Sequence, residues 1–153
     1  MGRKLAHFLA IALTAFAFVP GGAHLFEMAA KMGLAQESYF TVQQIYRGWS
    51  LFGIAIFGAI FANLAVAFSV RRQRLAFRLA GAAVLLLLLM LAIFFTWTYP
   101  ANQATADWTT VPPNWADLRV QWEYSHAVNA IITFLALCCA VLAQLTAHDE
   151  AQV

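Results

Sequence analysis

The chain has 153 residues, of which 63% are hydrophobic and 10% charged, with a formal net charge of +2. A soluble domain carries about 25% charged residues, so this composition excludes an ordinary soluble protein and indicates an integral membrane protein. There is no basic face interleaved with aromatic residues of the kind that tracks phosphates, which excludes nucleic acid as a partner.

Four segments reach the roughly 20 apolar residues that cross a hydrocarbon core of about 30 Å, at about 5–26, 49–70, 79–99 and 120–145. Arg3 and Lys4 precede the first segment, and Arg71, Arg72, Arg74 and Arg78 join the second to the third. The positive-inside rule puts both groups on the cytoplasmic side. The expected fold is therefore all-α, a single domain over 1–153. It is a four-helix transmembrane bundle, N-in/C-in, with two extracytoplasmic connections, in the cell membrane as a multi-pass protein.

Arg3 and Lys4, an apolar core and Gly21-Gly22-Ala23 could also compose a secretory signal, but the apolar stretch is longer than a signal's core and favours a span. Pro20, Gly21 and Gly22 are expected to bend or end the first helix. In the first connection, "ESYFTVQQIYRGW", Ser38 is the expected cap of a helix running straight into the second span. Along it Tyr39, Gln43, Tyr46, Arg47 and Ser50 fall at helical spacings and form a polar stripe facing the bundle. Asn63, inside the second span, reads as helix glue. Phe94, Phe95, Trp97 and Tyr99 close the third span, as the aromatic side of a pocket or as a lipid-facing belt.

In the second connection, "PANQATADWTTVPPNWAD", Asn114 and Asp117 have capping-box spacing, so the last helix starts near Trp115 and is the longest. Arg119, Trp122, His126, Asn129 and Thr133 form one stripe along it, the wall of a pocket opening outward. Cys138 and Cys139 read as small packing residues. His7 and His148 have no patterned partner.

Ionisable residues at membrane depth are functional candidates. The first span ends His24-Leu25-Phe26-Glu27 and the fourth begins Glu123-Tyr124-Ser125-His126. The two helices run in opposite directions, so His-x-x-Glu on one and Glu-x-x-His on the other put the histidines level, with both glutamates a turn further out. His24, Glu27, Glu123 and His126 are the candidate metal ligands, and His24 and His126 the candidate cofactor ligands. The donor set suits a single iron, copper or zinc ion, or haem. It equally suits no cofactor, if Arg47 and Arg119 pair with the glutamates in an interfacial network.

"YPANQ" and "WEYSHAVNAIITFLAL", together with "AHLFEMAAKMGL" and "YFTVQQIYRGWSLFG", resemble the small four-helix membrane proteins of the anthrone oxygenase-like family, most of whose bacterial members have no known function. The resemblance implies a four-helix membrane bundle and, for some fungal members, oxygenation of polycyclic anthrones to anthraquinones. The matching positions are Asn102, Trp122 and His126. The sequence departs from the family's common form at Asn129, where an arginine often stands.

Two readings follow. One is a membrane oxidoreductase or oxygenase-like enzyme acting on an apolar, aromatic or quinone-like molecule, with His126, Arg47, Asn102 and Asn129 as catalytic candidates and Arg47 as an oxyanion clamp. The other is a non-enzymatic membrane subunit or small-ligand binder whose His/Glu/Arg cluster is structural. The expected partners are the bilayer, an apolar small molecule, and either a second copy of the chain or another membrane protein.

Overall fold

The computed structural model describes residues 2–149, and the side chain of His148 lies outside the described residues. Helix α1 spans Gly2–Met32, α2 Gln36–Gln43, α3 Phe52–Ser69, α4 Arg74–Ile93, α5 Tyr99–Ala104 and α6 Trp115–Asp149. A π-helical segment, Phe94–Thr98, joins α4 to α5, so Arg74–Ala104 is one continuous helix. Four helices are long and apolar enough to cross a membrane, and only 28–33% of each apolar stretch is buried inside the bundle. The large side chains left outside, among them Phe26, Ile54, Phe61, Phe68 and Leu85, form the surface a bilayer solvates.

The spans form a ring in which α1 packs on α3 and α6, and α4 packs on α3 and α6. Lipid offers no hydrophobic drive to join helices, so the core relies on small residues that let backbones approach. Ala59, Ala76, Ala80, Ala83, Ala130 and Ala136 are all fully buried. Deep in the bundle Asn63 donates to Thr14 Oγ1 at 3.1 Å and to Ala59 O at 2.9 Å, the helix glue its position implied. Cys138 and Cys139 are free and partly buried in α6. Arg3 donates to Gln73 Oε1 at 2.9 Å, and Gln73 Nε2 lies 3.4 Å from Ala147 O. Both ends of the bundle's chain and the turn between α3 and α4 therefore share one end.

Three local expectations are corrected. Helix α1 does not stop at Pro20-Gly21-Gly22; it continues to Met32. A proline within a membrane helix leaves one carbonyl without its amide partner, a loss that neighbouring helices make tolerable. Gly21 is the reason the triplet sits there: a Cβ on it would lie 3.2 Å from Ala130 Cα, so its bare face lets α1 and α6 touch. Ser38 is not a cap, since α2 starts at Gln36 after an extended Ala35. Nor does α2 run into the second span. After a 3-10 turn over Gln44–Tyr46 the chain breaks at Gly48, whose φ of 89° suits glycine alone, and restarts through Trp49–Leu51. The break leaves Tyr39 and Gln43 buried but turns Arg47 and Ser50 out to the surface. Helix α6 does begin at Trp115, as the Asn114 and Asp117 spacing indicated.

Overpacking a close contact costs about 1–3 kcal/mol. Gly21→Val should lower the detergent unfolding temperature measurably, whereas Gly53→Ala, with nothing within 4 Å of its added Cβ, should leave it unchanged. Equal melting of both variants would show that α1 and α6 do not meet at Gly21.

Candidate functional site at the outer end of the bundle

The unbroken α1 delivers His24, Glu27 and Lys31 on successive turns of one face, and α6 delivers Glu123 and His126 opposite them. The two histidine rings meet with centroids 4.3 Å apart, so the mirrored spacing brings them level. Lys31, 3% exposed, occupies the centre. Its ammonium lies 3.1 Å from Glu123 Oε1, 3.8 Å from Glu27 Oε2 and 3.3 Å from His24 Nδ1. An ammonium only donates. His24 Nδ1 is therefore the acceptor, and the ring is neutral with its proton on Nε2.

Aromatic rings enclose the cluster. His24 packs against Tyr46, Trp49 and Trp122 at 4.4, 5.5 and 4.7 Å between centroids, and Trp122 against His126 at 4.2 Å. The Lys31 ammonium lies 4.9 Å from the ring centres of both Tyr46 and Trp122, within cation-π range. Lys31 also sits in the last turn of α1, where the helix dipole favours a cation.

The glutamates differ in access. Glu123 is fully buried, its Oε1 also taking the Tyr39 hydroxyl at 2.9 Å, while its Oε2 has no partner. Glu27 is 42% exposed at its side chain and accepts the Tyr46 hydroxyl. Gln43 donates to Tyr39 in turn. Burial, together with the Glu27 carboxylate that Tyr46 bonds, raises the Tyr46 phenol's pKa above its ordinary value. Burial and the Glu123 charge raise that of Tyr39.

Several expected partners stand elsewhere. Arg47 is exposed and bonds Gln44 Oε1 at 2.7 Å, so neither an ion pair with a glutamate nor contact with the histidines is formed. Arg119 donates to Leu34 O at 2.9 Å and lies over Trp115 at 4.8 Å and Tyr39 at 5.5 Å. Lys31 holds both glutamates in place of the arginines. Asn129, one turn inward of His126, is buried with its Oδ1 unpartnered. Asn102 does not reach the histidines; its Oδ1 accepts the indole N–H groups of Trp108 at 3.1 Å and Trp122 at 2.7 Å. It positions Trp122, and Trp122 positions His126. Phe95, Trp97 and Tyr99 are exposed, and Phe95 and Tyr99 pack with Phe94 and with each other, which makes the group lipid-facing.

As placed here, the four His and Glu residues are not grouped as a metal site. Among the described residues, no three His, Cys, Asp or Glu side chains are grouped to hold an ion. A tetrahedral ion between two imidazoles stands about 2.0–2.1 Å from each nitrogen, which holds the ring centres further apart than the 4.3 Å seen for these histidines. The same spacing leaves no place for a haem plane. The Lys31 ammonium, in the midst of the carboxylates, repels any cation that would share them.

Lys31 is the residue that sequence reasoning missed. Its signal was the spacing His24, Glu27, Lys31, which continues the His-x-x-Glu face by four more residues. Removing one partner of a buried ion pair costs about 3–5 kcal/mol, and replacing both can be neutral. Lys31→Met and Glu123→Gln should therefore each lower stability strongly and the double variant less than their sum, as read by a double-mutant cycle of thermal unfolding. Strict additivity would show that the two groups are not paired. Both tyrosine shifts favour the neutral phenol, so the stability they lend is complete below pH 10 and lost only as pH rises through the raised values. Tyrosinate absorbance of Tyr39→Phe and Tyr46→Phe should superimpose on wild type up to about pH 10, the ordinary tyrosine range, and beyond it.

No protein-family model, no curated protein and no solved structure matches this chain, so the cluster itself is the ground for a functional reading.

Proposed function

We propose that the protein is a membrane oxidoreductase or oxygenase-like enzyme of the cell membrane. It moves a proton from an apolar, phenolic or quinone-like molecule drawn from the bilayer. The observation that carries this reading is the His24 and His126 pair, with ring centroids 4.3 Å apart, set against a buried ammonium and carboxylate. Neutral imidazole is the side chain suited to take a proton near neutral pH. His126 keeps some surface exposure where His24 has almost none, and in this reading it is the base. Two buried acceptors lack partners nearby, Glu123 Oε2 and Asn129 Oδ1, and they complement a hydroxyl-bearing ring. Trp49, Tyr46 and Trp122 offer it aromatic faces.

Within this reading Lys31 is the fixed positive charge that stabilises a phenolate or enolate once the proton has left. Glu27, exposed and joined to Lys31 and Tyr46, is the point at which protons exchange with water. Oxygenation of an anthrone by dioxygen to an anthraquinone and water, the reaction the resemblance implies, starts with removal of such a proton. Arg47 has no part in it.

The second reading, a non-enzymatic subunit or small-ligand binder, is favoured by the complete burial of Glu123 and its pairing with both Lys31 and Tyr39, which ties α1, α2 and α6 together. Turnover separates the two. Purified protein given an anthrone or a hydroquinone in air should form the quinone above the buffer rate. His126→Ala should lower that rate by about 10²–10⁴-fold, the usual worth of a general base, with the fold retained by circular dichroism. Wild type without turnover on either class, or an active His126→Ala, would give the cluster to the structural reading.

A further inference from the structure

At the opposite end of the bundle, a cleft of about 420 Å³ is lined by Arg3, Ser69, Val70, Arg71, Arg72 and Gln73. Three arginines from two segments far apart in sequence line one concave site. Arg3 is fixed across it by its bond to Gln73 Oε1. Arg71 is held by Phe68, bonding its carbonyl at 3.0 Å and lying 4.3 Å from its ring centre. The cleft also borders the first turn of α4, which begins at Arg74, and the unpaired amides of a helix start favour an anion.

The surroundings define what kind of anion fits. Phe68 and Leu5, which adjoin the lining residues on the membrane side, are exposed, as are Leu75 and Phe77. An anionic group lodged among the arginines would thus continue directly onto apolar surface. Basic pockets at the cytoplasmic ends of transmembrane helices recognise phospholipid headgroups in this way, and a guanidinium matches phosphate oxygens in pairs.

We propose that this cleft is a binding site for the phosphodiester headgroup of an anionic phospholipid, held by Arg3, Arg71 and Arg72 with its acyl chains along Phe68 and Leu5. The site is independent of the proton-handling cluster. It differs from the general positive-inside charge because Arg74 and Arg78, on the same end of α4, do not line it.

That difference supplies the test. The protein is reconstituted with spin-labelled phosphatidylglycerol or phosphatidylcholine, and the motionally restricted fraction is measured at physiological ionic strength. Wild type should favour phosphatidylglycerol by about threefold or more, given the attraction each basic residue adds at an anionic surface. Arg3→Gln with Arg71→Gln should reduce the preference to near parity, whereas Arg74→Gln with Arg78→Gln, which removes the same charge, should retain most of it. No preference in wild type, or equal loss in both double variants, would overturn the site. Inorganic phosphate that displaces labelled phosphatidylglycerol from detergent-solubilised protein at millimolar concentration would overturn the lipid assignment in favour of free phosphate. The tail acids Asp149 and Glu150 follow Ala147, whose carbonyl lies near Gln73. A preference seen only in Asp149→Asn with Glu150→Gln would show that the arginines serve the tail instead.

Discussion

A single ammonium, Lys31, sets the outer third of the bundle. A cation withdrawn from water at membrane depth is tolerable only with carboxylates and acceptors around it, and here those come from α1 and α6. Glu123 must be buried to meet it, Tyr39 must fold in from α2 to bond Glu123, and Tyr46 must reach Glu27. Each of these requirements fixes a piece of backbone. The first connection cannot be a straight extension of the second span, because Tyr39 and Tyr46 have to turn back over the helix ends.

The second connection meets the same cluster from the other side. Ala106, Asp107 and Trp108 all adopt positive φ, at 47°, 55° and 62°. Non-glycine residues there are held at a cost of about 1–3 kcal/mol each. What offsets it is the seat of Trp108, which is buried against Tyr39, Phe40 and Trp122 with its indole N–H on Asn102. One side-chain oxygen thus holds two tryptophans, and through Trp122 it sets the plane on which both histidines rest. The π-helical step at Phe94–Thr98 serves the same end. It leaves the Trp97 carbonyl free to take the Gln121 amide at 2.7 Å, and it brings Thr98 to the Ser125 hydroxyl at 2.7 Å.

Much of this was legible in the sequence. Hydropathy located the four spans, the arginines between the second and third grouped the chain ends with that turn, and mirrored His and Glu spacings placed His24 beside His126. Lys31 was not legible, since a lysine past an apolar run reads as the point where a helix has left the membrane, and only the packed structure shows it turned inward. Arg47 was misassigned for a related reason. A helical stripe presumes an unbroken helix, and Gly48 ends that presumption one residue after Arg47. Pro20, Gly21 and Gly22 misled because breaker residues mark helix ends in water, whereas in lipid a bare glycine face joins helices.

The Gly21 contact acts as a fulcrum. Pro20 makes this the weakest cross-section of α1, and Lys31 lies eleven residues further along, about 16 Å at helical rise. A bend of about 10° at the proline would swing the ammonium by about 3 Å, as far as its whole separation of 3.1 Å from Glu123. The accuracy with which the charge meets its partners is therefore decided inside the bundle, where α1 is pressed on Ala130. Whatever shifts α6 against α1, including the thickness of the surrounding membrane, is felt at the histidines.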